Sequence, residues 1–447
     1  MKGAFRAWAA AIAAGVSACA LGPERAEPDV AAPAAFSREL AVETAALASW
    51  WLGFEDETLD ALVEQALAGN LDIAEADARL DQAAAFISAE RSDLFPVVDG
   101  FVEGVRTEGA PSQGFASAGL AGVFNPDLFG ARRRELQAAR ASAEDAAARA
   151  RDARRIVAAS LASAYIEVRR TDARLALLDT SLALQSRTVE IVRRRAEAGL
   201  AADLDVRRTV SDLASTRAQR GLLVSSRRAA DNAVSLLLGA PPASVRVAPQ
   251  ETPSPPRYSA GPPLEAPSQV LRMRPDVRAA EARLARETAL VGAEIADLFP
   301  NLTITGGVSS NLDGALFAGG APASIAGILD APLLDFGRRR AEVRAQRASA
   351  AAAEAAYKRT ALSALSEVET ALTAIAAARD RRADLAEAAE ASEAAFTQLQ
   401  ALYREGLADL IDVLDAQRSL IGSRERFVDS EAALAQAIVD FYAALGV

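Results

Sequence analysis

Asp72–Pro96 reads DIAEADARLDQAAAFISAERSDLFP, and Asp276–Pro300 reads DVRAAEARLARETALVGAEIADLFP. The two stretches lie 204 residues apart, with Asp, Ala-x-Ala-Arg-Leu and Asp-Leu-Phe-Pro in register. Outward from there, later landmarks repeat at 207: Phe129-Gly130 with Phe336-Gly337, Gly199-Leu200 with Gly406-Leu407, Asp205-Val206 with Asp412-Val413, and Leu238-Gly239 with Leu445-Gly446. Solenoid units run to about 20–50 residues, so this is a duplicated half-protein instead. Its function has to be one that two similar halves perform together.

Each half opens with helical spacing, from about Thr58 to Arg91 and from Pro275 to Ala296. Phe95-Pro96 and Phe299-Pro300 end it, because the residue before proline avoids the α region. The period then changes. Val97–Thr107 and Gly114–Phe124 form one predicted hairpin, and Asn301 onward with Ala323–Leu333 the other. Strands of about 9–11 residues suit a tilted bilayer crossing, and a soluble hairpin packed on helices is the competing reading. A glycine and a basic cluster follow each hairpin, Arg132-Arg133-Arg134 and Arg338-Arg339-Arg340. These are either a solvated face or anchors on the periplasmic side of a membrane exit.

Ala131–Ala198 and Arg338–Glu405 hold 68 residues each without a proline. Each helix would span about 100 Å at 1.5 Å per residue, which calls for coiled-coil-like partners. Gly199 and Gly406 end them as turns. Return helices, Asp205–Leu238 and Asp412–Leu445, are half as long, so two short helices end to end match one long strut. Ala240–Arg274, with Pro241-Pro242, Pro255-Pro256 and Pro262-Pro263, reads as the link between halves.

Composition narrows the function. Among 447 residues there is no histidine and one cysteine, and the net charge is −11. Nucleic-acid binding, His-based metal sites and Ser-His catalysis are disfavoured, and an enzyme, a cofactor or a metal is not expected. Apolar residues make up 51% but aromatics only 5%, which suits close, alanine-lined helix packing. The one cysteine is placed tellingly. A basic start at Met1–Arg6 and an apolar Ala7–Gly15 precede Val16-Ser17-Ala18-Cys19, which resembles a bacterial lipobox. That reading makes residues 1–18 a signal peptide and Cys19 an acylated (palmitate-bearing) N-terminus tethered to a bilayer. Ala20, where inner-membrane lipoproteins usually carry aspartate, points to the outer membrane.

Four strands cannot close a lipid-spanning barrel, and open sheet edges are not tolerated in hydrocarbon. The chain therefore has to oligomerise. Three copies would give twelve strands, although any even total from about eight upward satisfies the edge rule.

The chain resembles the TolC-like bacterial outer membrane efflux proteins, in the lipoprotein branch that serves RND-type multidrug pumps. The resemblance rests on Trp50-Trp51-x-x-Phe54-x-Asp56-x-x-Leu59-x-x-Leu62, Ala66-Leu67-x-x-Asn70-x-Asp72, Arg274-Pro275-Asp276-Val277, Pro332-Leu333-Leu334-Asp335-Phe336-Gly337-Arg338 and Gly406-Leu407-x-x-x-x-Asp412-Val413-Leu414-Asp415-Ala416-Gln417. It implies a mainly α fold with transmembrane β: a duplicated long-helix periplasmic barrel plus four strands per protomer in a homotrimeric, twelve-stranded outer membrane β-barrel. It divides the chain into a lipidated arm and equatorial lead-in (19–57), a first repeat (58–239), an equatorial Pro-rich linker (240–274) and a second repeat (275–447). The implied function is a passive exit duct for small molecules, working with a periplasmic adaptor and an inner membrane pump.

The implied gate is the pair of helix turns. Asp412 and Asp415, three apart on one helix face, would ring a threefold axis, with Asp205 and Tyr403 in the same network. Gly199, Leu200, Gly406 and Leu407 would form the tips that dock the adaptor. The family's gate arginine is replaced by Ala408, so an ionic lock is absent or rebuilt from Arg404, and Leu407 or Leu410 offers hydrophobic closure instead. Asp205 and Asp412 also follow turns and read equally as helix N-caps. Trp50-Trp51 reads as core. A type I protein secretion duct and a non-pore periplasmic coiled-coil lipoprotein are the alternative functions.

Overall fold

The computed structural model describes residues 21–24, 33, 35–36, 47–107, 113–259, 267–311 and 322–447. The signal sequence, Cys19, Pro262-Pro263 and both hairpin loops lie outside them. Two compact units emerge, and each draws on both repeats. Residues 1–30, 77–149 and 276–361 form the first, and residues 31–76, 150–275 and 362–447 the second.

The helical opening of the first repeat is two helices, not one: α1 (Glu57–Gly69) and α2 (Leu71–Ser92). Asn70 divides them. Its backbone is extended (φ −70°, ψ 134°), and its Oδ1 accepts the N–H groups of Asp72 (2.8 Å) and Ile73 (3.2 Å). An Asn placed this way caps a new helix and breaks the old one. Its amide nitrogen also donates to the Leu237 carbonyl at 2.8 Å, which fixes the break in the second unit.

The first unit holds the strands: β1 (Val97–Thr107), β2 (Gln113–Phe124), β3 (Asn301–Asn311) and β4 (Ala323–Asp330). They make one antiparallel sheet in the order β1-β2-β3-β4, so the two hairpins pair with each other through β2 and β3. β4 stops at Asp330, three residues short of the expected Leu333, just before Pro332, which has no N–H to give a ladder.

From β2 the chain enters α3 (Ala131–Glu197), and α4 (Asp203–Leu237) returns. In the second repeat, α5 (Pro267–Met273) is a short helix inside the Pro-rich link, and α6 (Pro275–Ala296) starts on a proline, whose missing N–H costs nothing at that position. β4 leads to α7 (Arg338–Glu405) and then to α8 (Leu410–Leu445).

The core of the second unit unites α1, α3, α7 and α8, with Leu59, Val63, Leu161, Tyr165, Leu372, Ile375, Phe441 and Leu445 fully enclosed. α7 is apolar enough by length and composition to cross a membrane, but its Leu365, Val368, Leu372 and Ile375 are buried in this core. The Pro-rich link is docked on the same unit. Arg169 donates to the Ala248 carbonyl at 2.8 Å, and Arg227 to that of Val247 at 2.7 Å. Trp50 is core, stacked on Tyr442 with ring centroids 5.3 Å apart. The rest of the Trp50–Leu62 motif is likewise structural. Asp56 caps α1 through Thr58 and Leu59 N–H groups and also accepts the Tyr165 hydroxyl, while Leu59 and Leu62 are buried.

Candidate functional site

Two places are candidates for function, one in each unit. In the first unit it is the sheet. Directly paired residues on an antiparallel ladder point to the same side. Registers Val98↔Gly122, Gly100↔Leu120, Leu120↔Val308, Phe124↔Ile304 and Gly306↔Ile325 therefore define one face. Arg106, Ser310 and otherwise only apolar or small residues occupy it, with Val98, Val102, Leu120 and Ile325 well exposed. The opposite face is mixed: it takes Asp99, Glu103, Ser117, Thr303, Thr305, Ser309, Ser324 and Asp330, and with them Val97, Phe101, Val105, Val123 and Ile328. An almost wholly apolar face, backed by a mixed face that holds all the sheet's carboxylates, suits a wall between lipid and water. The outer edges of β1 and β4 have no strand partner among the described residues.

At the helix end of the sheet, on its polar side, lies a cavity of about 430 Å³ lined by Glu135, Glu294, Asp297, Asp330, Arg338 and Glu342 among others. Burial holds the Glu294 carboxyl above the usual carboxylate range, and Asp297 and Glu342 push it further. Asp127 and Asp335 cap the helices that leave the sheet. Asp127 accepts the N–H groups of Arg132 (3.0 Å) and Arg133 (3.1 Å), and Asp335 those of Gly337 (2.9 Å) and Arg339 (3.2 Å). These backbone bonds keep the Asp335 pKa low. The basic clusters are not uniform. Arg132 pairs with Glu135 at 3.0 Å, Arg338 with Glu342 at 3.3 Å, and Arg340 is exposed, yet Arg134 is buried.

In the second unit the site is the pair of helix turns. Gly199 (φ +75°) and Gly406 (φ +79°) adopt the left-handed conformation that side chains resist. Around each, the chain closes a Schellman turn: Leu200 N–H to Arg195 C=O at 2.7 Å, and Leu407 N–H to Leu402 C=O at 2.9 Å. A Cβ on either glycine would meet nothing, so the dihedral alone demands glycine. The return helices begin two residues earlier than expected. Ala202 and Asp409 occupy the N-cap positions without a side-chain bond, so Asp205 and Asp412 are not caps. They stand in the first turn, where the helix dipole favours negative charge.

Asp412 and Asp415 are exposed and Asp205 is half-buried. Asp415 pairs with Arg418 at 3.0 Å, and Arg418 also grips Asp212 of α4 through two bonds, 2.9 and 3.0 Å. Asp205 faces Arg208 at 3.8 Å. Tyr403 is buried under the Arg195 guanidinium, 4.6 Å from its ring centre, and its carbonyl accepts from Arg195 at 2.8 Å. Burial raises the Tyr403 phenol; Arg195 opposes the rise and Asp205 adds to it. Arg404, one candidate for rebuilding the ionic lock, bonds Gln400 at 3.1 Å and no acid among the described residues. Arg195 holds the tyrosine, Arg418 holds Asp415 and Arg208 faces Asp205 instead. Arg418 was signalled by its i+3 spacing from Asp415; Arg195, more than two hundred residues from Tyr403, had no local signal. Leu407 is 71% exposed, but Leu410 is enclosed with Val192, Phe396, Val413 and Leu414, and so is unavailable as a seal in this conformation.

The chain matches the outer membrane efflux protein family over residues 62–240 and 266–447. It belongs to that family. It is 31% identical to nodulation protein T of Rhizobium leguminosarum bv. viciae over 424 positions, covering 93% of this chain and 88% of the other. It is 31% identical to outer membrane protein OprJ of Pseudomonas aeruginosa, covering 100% and 96% of the two chains. Among solved structures, the outer-membrane channel OprN superposes with a TM-score of 0.87 at 31% identity, covering 96% of this chain and 99% of that one. The chain is thus a non-catalytic outer membrane efflux channel with the duplicated helix-and-strand fold, and the two-faced sheet and glycine-ended turns are parts of a conduit.

Proposed function

We propose that the protein is the homotrimeric exit duct of a tripartite pump, carrying small molecules from a periplasmic adaptor and an RND-type inner membrane pump across the outer membrane. One observation carries this reading: a four-stranded sheet with one almost wholly apolar face, a mixed face that holds the carboxylates, and two outer edges without a strand partner among the described residues. In lipid those edges cost several kcal/mol per unpaired group, so they must be joined. The alternation of strand directions lets β4 of one copy pair antiparallel with β1 of the next. Three copies then close twelve strands through one repeated heterologous contact. Chemistry is left to the pump, which also selects the substrate.

In the trimer, Asp412 and Asp415 would each appear three times around the axis and favour cations at the narrow end. Arg418 would hold Asp415 and the α4–α8 pair in the closed arrangement. Leu200, Leu204, Leu407 and Ile411 form an exposed apolar tip suited to an adaptor. Cys19 would be acylated and tether the chain to the same membrane.

Planar-bilayer recording of the detergent-purified protein tests the duct. Discrete conductance steps, a heat-labile trimer on semi-native gels, and reduced cation preference in Asp412→Ala plus Asp415→Ala are expected. A folded protein that needs no detergent and conducts nothing would refute it. Intact mass of the N-terminal peptide tests acylation separately.

A further inference from the structure

The segment just after Cys19 is held in place by a set of contacts that the conduit does not require. Leu21 N–H donates to the Phe129 carbonyl at 3.4 Å. Arg134, only 7% exposed, donates from Nε to the Leu21 carbonyl (2.9 Å) and from Nη2 to the Gly22 carbonyl (3.2 Å), while Nη1 bonds Gln137 (3.0 Å). Gly22 has φ +106°, and a Cβ there would lie 2.5 Å from the Cα of Gly292. A Cβ on Gly292 would strike the Arg134 side chain at 2.7 Å and the Leu21 carbonyl at 2.8 Å. Arginine, carbonyls and two facing glycines thus interlock, and all belong to the first unit.

The duplication gives this arrangement a control. At the offset of 207, Arg134 corresponds to Ala341, and at 204, Gly292 corresponds to Ser88. Neighbouring Arg132 and Arg133 do have arginine counterparts, Arg339 and Arg340. The repeats therefore differ at both residues that grip the segment. A buried arginine spent on two backbone carbonyls is costly to keep unless the segment it holds matters.

We propose that Arg134, Gly292 and Gly22 form a clamp for the N-terminal arm that fixes the acylated end of the chain beside the strand-to-helix junction. Two residues separate Cys19 from Leu21, a reach of at most about 7 Å for extended chain. The acyl chains then enter the bilayer next to the sheet, not at the end of a free leash. This last consequence rests on the acylation reading; the clamp itself does not.

Limited trypsinolysis of the detergent-purified full chain tests it through the bond after Arg25, three residues beyond Gly22. Cleavage at a held segment tracks the population of the released form. Arg134→Met is expected to speed release of the Cys19–Arg25 peptide at least about tenfold, the equivalent of one lost bond to a charged group. Gly292→Ala, which pushes the arm out while keeping the arginine, is expected to do the same. Arg340→Met, a cluster arginine outside the clamp, is expected to leave the rate unchanged. Unchanged rates in both clamp variants, or equal acceleration in Arg340→Met, would overturn the proposal. The mass of the released peptide reports acylation independently: an unmodified Cys19 with a tenfold response refutes the lipid reading and keeps the clamp.

Discussion

α4 and α8 hold the same place in the two repeats, yet only one is a core helix. Four residues of α4 are buried, Thr209, Ala230, Val234 and Ser235, against seventeen of α8. Phe441 and Tyr442 of α8 join the aromatic cluster of Trp50, Trp51, Phe54 and Tyr258. α4 instead leaves Leu222 and Leu236 bare, each 73% exposed. Duplication supplied two similar helices, and divergence enclosed one and left the other open. A ring needs that asymmetry, because each copy must present different faces to its two neighbours.

The largest effect expected from this contrast is at Phe441, which is wholly enclosed. Phe441→Ala should cost about 3–5 kcal/mol, read as a fall in the thermal midpoint of the helical circular dichroism signal. Leu222→Ala should change protomer stability by no more than about 0.5 kcal/mol. Equal losses would mean that the burial difference is not energetic, and the distinction between an enclosed and an open helix would fall.

Leu222 sharpens the contrast when charged. Leu222→Arg together with Leu236→Arg should lower the temperature at which the trimer dissociates on a semi-native gel, with helix content unchanged. A trimer as heat-resistant as the wild type would show that α4 faces water in the assembly.

The same divergence marks what the sequence could and could not reveal. Strands, turns and long helices were legible because proline, glycine and a change of hydrophobic period act locally: Pro96, Pro300, Gly199 and Gly406 punctuate the chain where the elements end. The break at Asn70 was missed because an Asn cap looks like any polar residue on a helix face until its neighbours supply Leu237. At the candidate gate, spacing put Asp412 and Asp415 on one helix face, and the family resemblance pointed to their role. The long-range contacts had no such signal, since Arg418 meets Asp212 across 206 residues and Arg195 reaches Tyr403 across 208. The burial of Leu410 is set by packing among three helices, α3, α7 and α8, and no local pattern encodes it.

At the helix turns the repeats differ in charge. The first places Arg208 three residues after Asp205, where the second has Asp415 after Asp412 and then Arg418. Arg418, unlike Arg208, crosses to the other return helix, where it meets Asp212. Arg418→Ala should therefore raise the open fraction in single-channel recordings several-fold, while Arg208→Ala should alter it little. Stability should fall by less than about 1 kcal/mol in either variant, since both pairs are solvated. An Arg208→Ala channel that opens as readily as Arg418→Ala would place the lock elsewhere.

The smallest effect is at the sheet's helix end, where Glu90 and Glu294 are repeat counterparts. Glu90 lies near Arg132, whose guanidinium it supports. Glu294 is raised by burial and by Asp297 and Glu342. A carboxyl whose folded pKa is raised resists ionisation, so it imposes no penalty when protonated in both states. The penalty grows as pH climbs from the ordinary value, about 4.3, through the raised one, and is constant above it. Glu294→Gln should thus raise the thermal midpoint at pH 7 and give no gain at pH 4. Because Glu294 is only partly buried, the gain should be on the order of a few tenths of a kcal/mol after screening. Glu90→Gln, which removes a neighbour of Arg132, should show no gain at pH 7. A Glu294→Gln gain that persisted at pH 4 would have to come from packing, because charge repulsion is gone once the group is protonated.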